Sequence, residues 1–462
     1  MQVYSLVALL FAASVRAVSL DTSSKNSICD AAALIANGEW NYYEGLKYGG
    51  TIGMFTYPYY WWHAGEAFGG LIDFYTFCQP SNDTLYRLIY NGMYDQRGSA
   101  NNYIPANQSM TEGNDDQGVW GLATMGAVER NFTDPSDVSW LELTQAIYNT
   151  MNARWDTSTC GGGLRWQIFT WNSGYDYKNS IANGCLFHIA ARLARYTGND
   201  SYAQTATKVW DWMENDVQFI LQDTSSSGKE ELVIYDGAKI ANNCGVITKT
   251  KWSYTYGIFM AGCAYMYNYT AENGTDSESS VWLERTKDIL VSSNYFFNNS
   301  IMTEMSCAPG DHCNNDQRSF RSLFSRCLAL TAVMAPSTYD DIQPLLEKSA
   351  VAAAQSCSGG SDGVTCGENW SVNGWDTKFG LGEQMSALEV IQGLLGSTSA
   401  VAAPYTSTNG GSSKSNPDAG LDSSIQTNNN VITVSQKDKA GAGVATAFLL
   451  AAILGGAIWM VL

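Results

Sequence analysis

Glu112-Gly113-Asn114-Asp115-Asp116-Gln117-Gly118-Val119-Trp120-Gly121-Leu122-Ala123 is a polar turn that runs directly into an apolar, glycine-rich helix. A helix apolar on most of its sides belongs inside a fold, whereas an amphipathic one covers it. Outward from this stretch the contrast recurs. Apolar residues spaced at three and four predict helices near 28–46, 64–78, 82–95, 115–130, 137–154, 179–197, 201–221, 254–271, 279–298, 315–335, 338–356 and 380–395. Taken in pairs, the second member is the richer in Gly, Ala and large apolar residues, and the first carries more charge. The pattern predicts an all-α fold, an (α/α)6 barrel of six inner and six outer helices, although an open helical solenoid would show the same alternation. Strand signal is confined to short pieces at Leu164–Thr170 and Leu232–Tyr235.

The two ends of the chain read as processing signals. Residues 1–17 hold an apolar run too short to span a bilayer, followed by Val15-Arg16-Ala17, a small-residue cleavage pattern, and so read as a signal peptide. Residues 401–439 form a Ser/Asn/Gly-rich spacer, and residues 440–462 an apolar tail with no basic residue after it. Small residues, polar spacer and apolar tail in that order fit a GPI-anchor signal, with Asp422-Ser423-Ser424 or Asn428-Asn429-Asn430 at the attachment site. The expected address is the outer face of the plasma membrane and the cell wall, with membrane contact through the lipid anchor alone. Between the ends, residues 18–400 contain no linker and form one domain.

Composition agrees with export. Asn-x-Ser/Thr acceptors begin at Asn82, Asn107, Asn131, Asn199, Asn268, Asn273, Asn298 and Asn369. Eleven cysteines predict disulfides, with Cys307/Cys313 and Cys357/Cys366 as close candidates, and the odd number leaves one thiol over. A net charge of −18 lacks the basic footprint of a nucleic-acid binder, so no nucleic-acid partner is expected.

The turns leading into the inner helices mix aromatic and polar residues: Tyr59–Glu66, Glu112–Gln117, Trp171–Asn179, Trp252–Tyr256, Asn314–Arg318 and Trp370–Asp376. In a helical barrel these turns converge at one end and line a single cleft. Sugars suit such a cleft, because a pyranose offers C–H faces to rings and hydroxyls to amides and carboxylates. The three histidines, His63, His188 and His312, lack metal-ligand spacing, and there is neither a Gly-x-Ser-x-Gly elbow nor a phosphate loop. No cofactor or metal is expected, and chemistry falls to carboxylates. Asp115 and Asp116 stand at a helix start, with Asn114 as N-cap and Gln117 as its capping-box partner. Acidic residues there also serve the helix dipole. Two adjacent carboxyls cannot both ionise easily, so one can donate a proton while the other stays anionic. Retention of configuration needs the two groups about 5 to 5.5 Å apart, and consecutive Cα atoms about 3.8 Å apart bring this within reach.

At this point the chain resembles glycoside hydrolase family 76, in its fungal, GPI-anchored branch of mannan endo-1,6-alpha-mannosidases of cell-wall assembly. The resemblance covers most of residues 24–396 and both processed ends. It is carried by Trp61–Gly70, Gly113–Gln117, Cys160–Trp166, Tyr177–Ser180 and Gly382–Leu388. It implies a retaining mechanism with Asp115 as nucleophile and Asp116 as general acid/base. Trp62, His63, Asn114, Trp120, Arg165, Trp166, Lys178, Asn179, Tyr254 and Tyr256 are expected around the sugar subsites, by location more than by motif. The implied donor is alpha-mannan or the mannose core of a GPI glycan. Wall glucan is the implied acceptor if the enzyme transfers instead of hydrolysing. The competing reading is a noncatalytic glycan-binding or structural wall protein, which would not need both aspartates.

Overall fold

The computed structural model describes residues 17–108, 111–224, 228, 230–421 and 436–461. The chain divides into two compact units, Met1–Ser423 and Ser424–Leu462. In the first, six outer helices, α1 (Lys25–Glu39), α3 (Asp83–Asp95), α5 (Trp140–Ala153), α7 (Asp200–Asp211), α9 (Asp276–Ser293) and α11 (Tyr339–Ser356), alternate with six inner ones. The inner helices are α2 (Trp61–Cys78), α4 (Asn114–Glu129), α6 (Ser180–Thr197), α8 (Ser253–Asn273), α10 (Asn315–Met334) and α12 (Leu381–Gly396).

Burial follows the composition of each helix. Every residue of α12 is buried, whereas α3 buries only Leu85, Ile89, Gly92 and Met93, one stripe at helical spacing. The inner helices approach closely through small residues: a Cβ on Gly118 would lie 2.4 Å from Cys185, and one on Gly262 would lie 2.4 Å from Phe187. Each inner helix packs on the next, and α12 packs on α2. That last contact closes the ring and decides for the barrel over the open solenoid. It is fastened where the Tyr59 hydroxyl accepts the Leu381 N–H at 2.8 Å and the Gln392 side chain donates to the Gly70 carbonyl at 3.0 Å.

Three expected helices end early. α1 stops at Glu39 and gives way to 3-10 turns, α9 stops at Ser293, and α7 passes through one π turn, Trp212–Asp216. Ile220 and Leu221, expected to be helical, belong to strand β2 (Ile220–Thr224), which pairs antiparallel with β3 (Glu230–Ile234). The expected strand at Leu164–Thr170 forms no ladder. Arg165 and Gln167 make single bridges to Lys178 and Gly113, because this loop stitches the front of α4 to β1 (Tyr177–Asn179). β1 pairs with β4 (Gly237–Lys239), which pairs with β5 (Ile247–Thr248), and β1 runs directly into α6 with Asn179 as its N-cap. A further short pair joins β6 (Phe297–Asn298) to β7 (Ile301–Met302).

Both close cysteine pairs are bridged, Cys307–Cys313 and Cys357–Cys366, and two longer bridges join Cys29–Cys78 and Cys160–Cys244. Three thiols remain free, not one: Cys185, Cys263 and Cys327 are all buried on inner helices, where a thiol packs as a small apolar group. Of the glycosylation acceptors, Asn82, Asn107, Asn199, Asn273, Asn298 and Asn369 are exposed. Asn131 and Asn268 are half-buried and hydrogen-bonded, to Gly410 and Arg195 respectively.

Residues 401–421 were expected to be part of a polar spacer, and instead they form a strap on the barrel. Tyr405 N–H donates to the Glu129 carbonyl at 2.9 Å and Ser407 N–H to the Tyr196 carbonyl at 3.0 Å, meeting the ends of α4 and α6. The strap then runs along α5, where the Asn149 amide donates to the Pro417 carbonyl at 2.7 Å. Its many polar groups find partners on exposed helix ends, which composition alone does not reveal. Residues 1–16 and both candidate anchor sites lie outside the described residues. In the second unit, α13 (Gln436–Val461) contains an apolar window, Lys439–Gly456, long enough to cross a membrane.

Candidate active site

The first turn of α4 is built by the chain around it. Gly113, not Asn114, is the N-cap, and its N–H donates to the Asp116 carboxylate at 2.7 Å. Asn114 N–H donates to the Trp166 carbonyl at 2.8 Å, and the Asn114 side chain bridges the Arg165 carbonyl at 2.9 Å to the Arg154 guanidinium at 2.7 Å. Gln117 is likewise spent inside, donating to the Asn102 carbonyl at 2.7 Å and to Thr150 at 2.9 Å. The turn is thereby fixed, with Asp115 and Asp116 half-buried at the floor of a cleft of about 440 Å³, within the usual range for small-ligand sites.

Asp115 accepts the Asp116 N–H at 3.0 Å, and the Asn179 amide approaches it at 3.4 Å. Burial and the neighbouring Asp116 charge push the Asp115 carboxyl well above the usual aspartate range. Burial pushes Asp116 up to about 7, against the lowering effect of the Gly113 N–H and with Asp316 adding to the rise. Each charge opposes the other, so the pair holds a shared proton into the neutral range.

Five of the six turns reach the cleft. They bring in Tyr60, Trp61 and Trp62; Glu112; Tyr177; Tyr254; and Asp316, while Trp166, Asp236 and Phe320 complete the walls. Tyr254 stacks on Phe320 at 3.7 Å between ring centroids. The sixth turn stays away: Trp370 is buried beneath the Arg321 guanidinium, 4.0 Å from its ring centre.

Among the expected sugar-binding residues, Trp62, Trp166, Asn179 and Tyr254 line the cleft. The other six do not. His63 is buried beneath Trp62, their rings 4.0 Å apart. Asn114 is consumed in the contacts just given. Trp120 is core, packed on Trp61 and Tyr103 at 5.3 and 5.1 Å. Arg165 turns to Asp156 at 2.8 Å and to the Tyr175 carbonyl at 3.0 Å. Lys178 is buried, its ammonium donating to the carbonyls of Asp156, Thr159 and Gly162 at 2.7, 2.7 and 2.6 Å. Tyr256 is buried, its hydroxyl accepting the Ile234 N–H at 3.0 Å.

Three acids on the cleft went unassigned in the sequence. Glu112 is buried, with neither carboxyl oxygen hydrogen-bonded. Asp236 receives the Tyr177 hydroxyl at 2.6 Å and the Trp252 indole at 3.1 Å. Asp316 carried the same sequence signal as the Asp115–Asp116 pair, an acid in the first turn after an Asn, whereas Asp236 sits in a short link with no pattern. Among the described residues no three acids, histidines or cysteines are grouped so as to hold a metal.

Two carboxyls competing for one proton among aromatic rings match what glycoside cleavage requires. The sequence is more specific: residues 27–408 match glycosyl hydrolase family 76, and the chain belongs to that family. It is 62% identical over 457 residues to mannan endo-1,6-alpha-mannosidase DFG5 of Candida albicans, with 98% of each chain covered. The crystal structure of Dfg5 from Chaetomium thermophilum in complex with glucosamine is 34% identical, with a TM-score of 0.81, covering 88% of this chain and 99% of that one. An alpha-1,6-mannanase from a Salegentibacter species shares the fold at 15% identity, with a TM-score of 0.60 over 79% of this chain and 98% of that one. Its structure is that of an inactive variant with two consecutive aspartates replaced, in complex with alpha-1,6-mannotriose.

Proposed function

We propose that this enzyme is a retaining endo-alpha-1,6-mannosidase or transglycosidase, with Asp115 as nucleophile and Asp116 as general acid/base. The observation that carries this reading is the half-buried pair on the aromatic cleft. Two N–H groups reach the Asp115 carboxylate, from the Asp116 backbone at 3.0 Å and the Asn179 amide at 3.4 Å, while the Gly113 N–H reaches Asp116 at 2.7 Å. With substrate in place Asp115 carries the negative charge and the shared proton sits on Asp116, the division of labour that retention requires. Asp115 attacks the anomeric carbon and forms a glycosyl ester as Asp116 gives its proton to the departing oxygen. Asp116, now ionised, takes a proton from the incoming hydroxyl as that oxygen displaces Asp115.

The names of the fungal relatives support mannan as the substrate class, and the paired replacement that leaves the bacterial mannanase inactive supports the role of the aspartates. The donor is alpha-mannan or the mannose core of a GPI glycan, and wall glucan is the acceptor when a sugar hydroxyl replaces water. The apolar helix α13 and the order of spacer and tail support a GPI anchor at the outer face of the plasma membrane and the wall.

The test is product analysis after incubating the purified chain with an alpha-1,6-mannooligosaccharide, with and without a glucan acceptor. Acceptor-linked products that disappear in Asp115→Asn are the result expected of a transglycosidase, and shorter reducing products alone that of a hydrolase. Undiminished turnover by Asp115→Asn would sink the assignment.

A further inference from the structure

The loop that carries Trp166 is stitched to the start of α4 on both sides. Asn114 N–H donates to the Trp166 carbonyl at 2.8 Å and Ile168 N–H to the Glu112 carbonyl at 3.3 Å, so that Gln167 stands opposite Gly113. These bonds hold Trp166 and Gln167 in register with the first turn of α4, and both residues line the cleft. Gln167 is buried in the cleft wall. Its side-chain carbonyl accepts the Asn172 amide at 3.0 Å. Asn172 is braced in turn: its N–H donates to the Phe169 carbonyl at 3.1 Å, and its carbonyl accepts the Tyr175 N–H at 3.1 Å. With the oxygen engaged, the free end of the Gln167 amide is its NH2 group. That group makes no hydrogen bond to a described residue and is not sealed from solvent, so its place is on the cleft. Asn114 and Gln117, by contrast, spend their amide donors inside the protein.

We propose that Gln167 is a specificity-determining residue: aimed by Asn172, its NH2 group donates to a hydroxyl of the sugar that stacks on Trp166. The proposal rests on the mannoside reading above and names a group that selects within it. A pyranose lying against an indole turns its C–H face to the ring and its hydroxyls to the edge, where an amide beside the indole meets them. Selection follows because a sugar without that hydroxyl leaves the donor unpaired in the cleft wall. Asn172 is a positioning residue, since it bonds Gln167 and decides which end of the amide faces the sugar.

The experiment compares kcat/KM of the full chain on an alpha-1,6-mannooligosaccharide and on its monodeoxy analogues. For the wild type, one analogue is expected to fall by about tenfold or more. Gln167→Met, which keeps the length of the side chain and removes its donor, is expected to lose about tenfold on the parent sugar and nothing further on that analogue. Gln167→Ala is a second variant with the same expectation, and Asn172→Ala is expected to keep only part of the penalty. Loss of fold, read by thermal denaturation, lowers turnover of every sugar equally and leaves the penalty in place. A penalty as large in both Gln167 variants as in the wild type overturns the proposal, as does a wild type indifferent to every analogue. Calorimetric binding of the same sugars to Asp115→Asn, with and without Gln167→Met, reads the same penalty without cleavage. A chain that cleaves the parent sugar while the penalty survives Gln167→Met loses this proposal alone, whereas one that neither binds nor cleaves it loses the functional reading as well.

Discussion

Lys178 is fully buried, and burial lowers its ammonium to about 8 against the raising pull of Asp156. Removing one member of such a buried pair costs about 3 kcal/mol. Lys178→Met is therefore expected to lower the melting temperature while leaving KM of the folded fraction unchanged, and a raised KM at unchanged stability would return Lys178 to the sugar site. Trp166 is the opposite case: it lines the cleft and is 38% exposed. Trp166→Ala should raise KM for mannooligosaccharides by about tenfold, the loss of one stacking ring, with no change in thermal denaturation. These two residues show what was legible at this scale. The sequence located the turns that meet at the cleft, but not which way each side chain leaves its helix. Tyr254 and Tyr256 are two residues and so about 200° apart around α8, which sends one to the cleft and the other to the core. Five residues along α4, a turn of about 140° takes Trp120 away from Asp115, whereas Asp115 and Asp116 both lie in the half-buried first turn.

Strands and strap were the elements hardest to foresee. β1, β4 and β5 are two or three residues each, too short for alternation to register, yet β1 delivers Asn179 to Asp115. The strap reads as low-complexity spacer because its contacts are made largely by backbone and by Ser and Asn side chains, with Pro404 and Ala419 its buried apolar residues. Its hydrogen bonds to α5 include Gln145 to Ser415 at 2.9 Å and Asn149 to Ala419 at 2.8 Å, worth about 1 kcal/mol each. Ending the folded unit at residue 400 in place of 421 is expected to lower the melting temperature by several degrees and to speed proteolysis near α5. A truncated chain as stable as the full unit would show that the strap is only laid on the surface. The twelve helices, by contrast, were legible as elements, although α1, α7 and α9 stop five to ten residues short of where apolar spacing carried them.

At the scale of the whole molecule, the alternation of helix types was legible but the closure of the ring was not, because the α12–α2 contact joins residues more than three hundred positions apart. The same closed interior determines how stability depends on pH. Burial pushes Glu66 and Glu304 up to about 8. A group that holds its proton more tightly when folded contributes stability that is complete below its unfolded pKa and is lost as pH rises through the folded value. His63 and His188, held neutral by burial, act in the other sense, their contribution disappearing as pH falls below about 6.5. Between about 6.5 and 8 the acids alone operate, so the melting temperature should fall across that interval, and Glu66→Gln should flatten the fall. A melting temperature that rises with pH there would contradict the assigned burial. The central claim, a covalent intermediate on Asp115, is tested most directly by proton NMR of the first sugar released from an alpha-1,6-mannooligosaccharide. Two inversions at one carbon predict the alpha anomer first, with beta appearing only by mutarotation, and beta first would contradict the account.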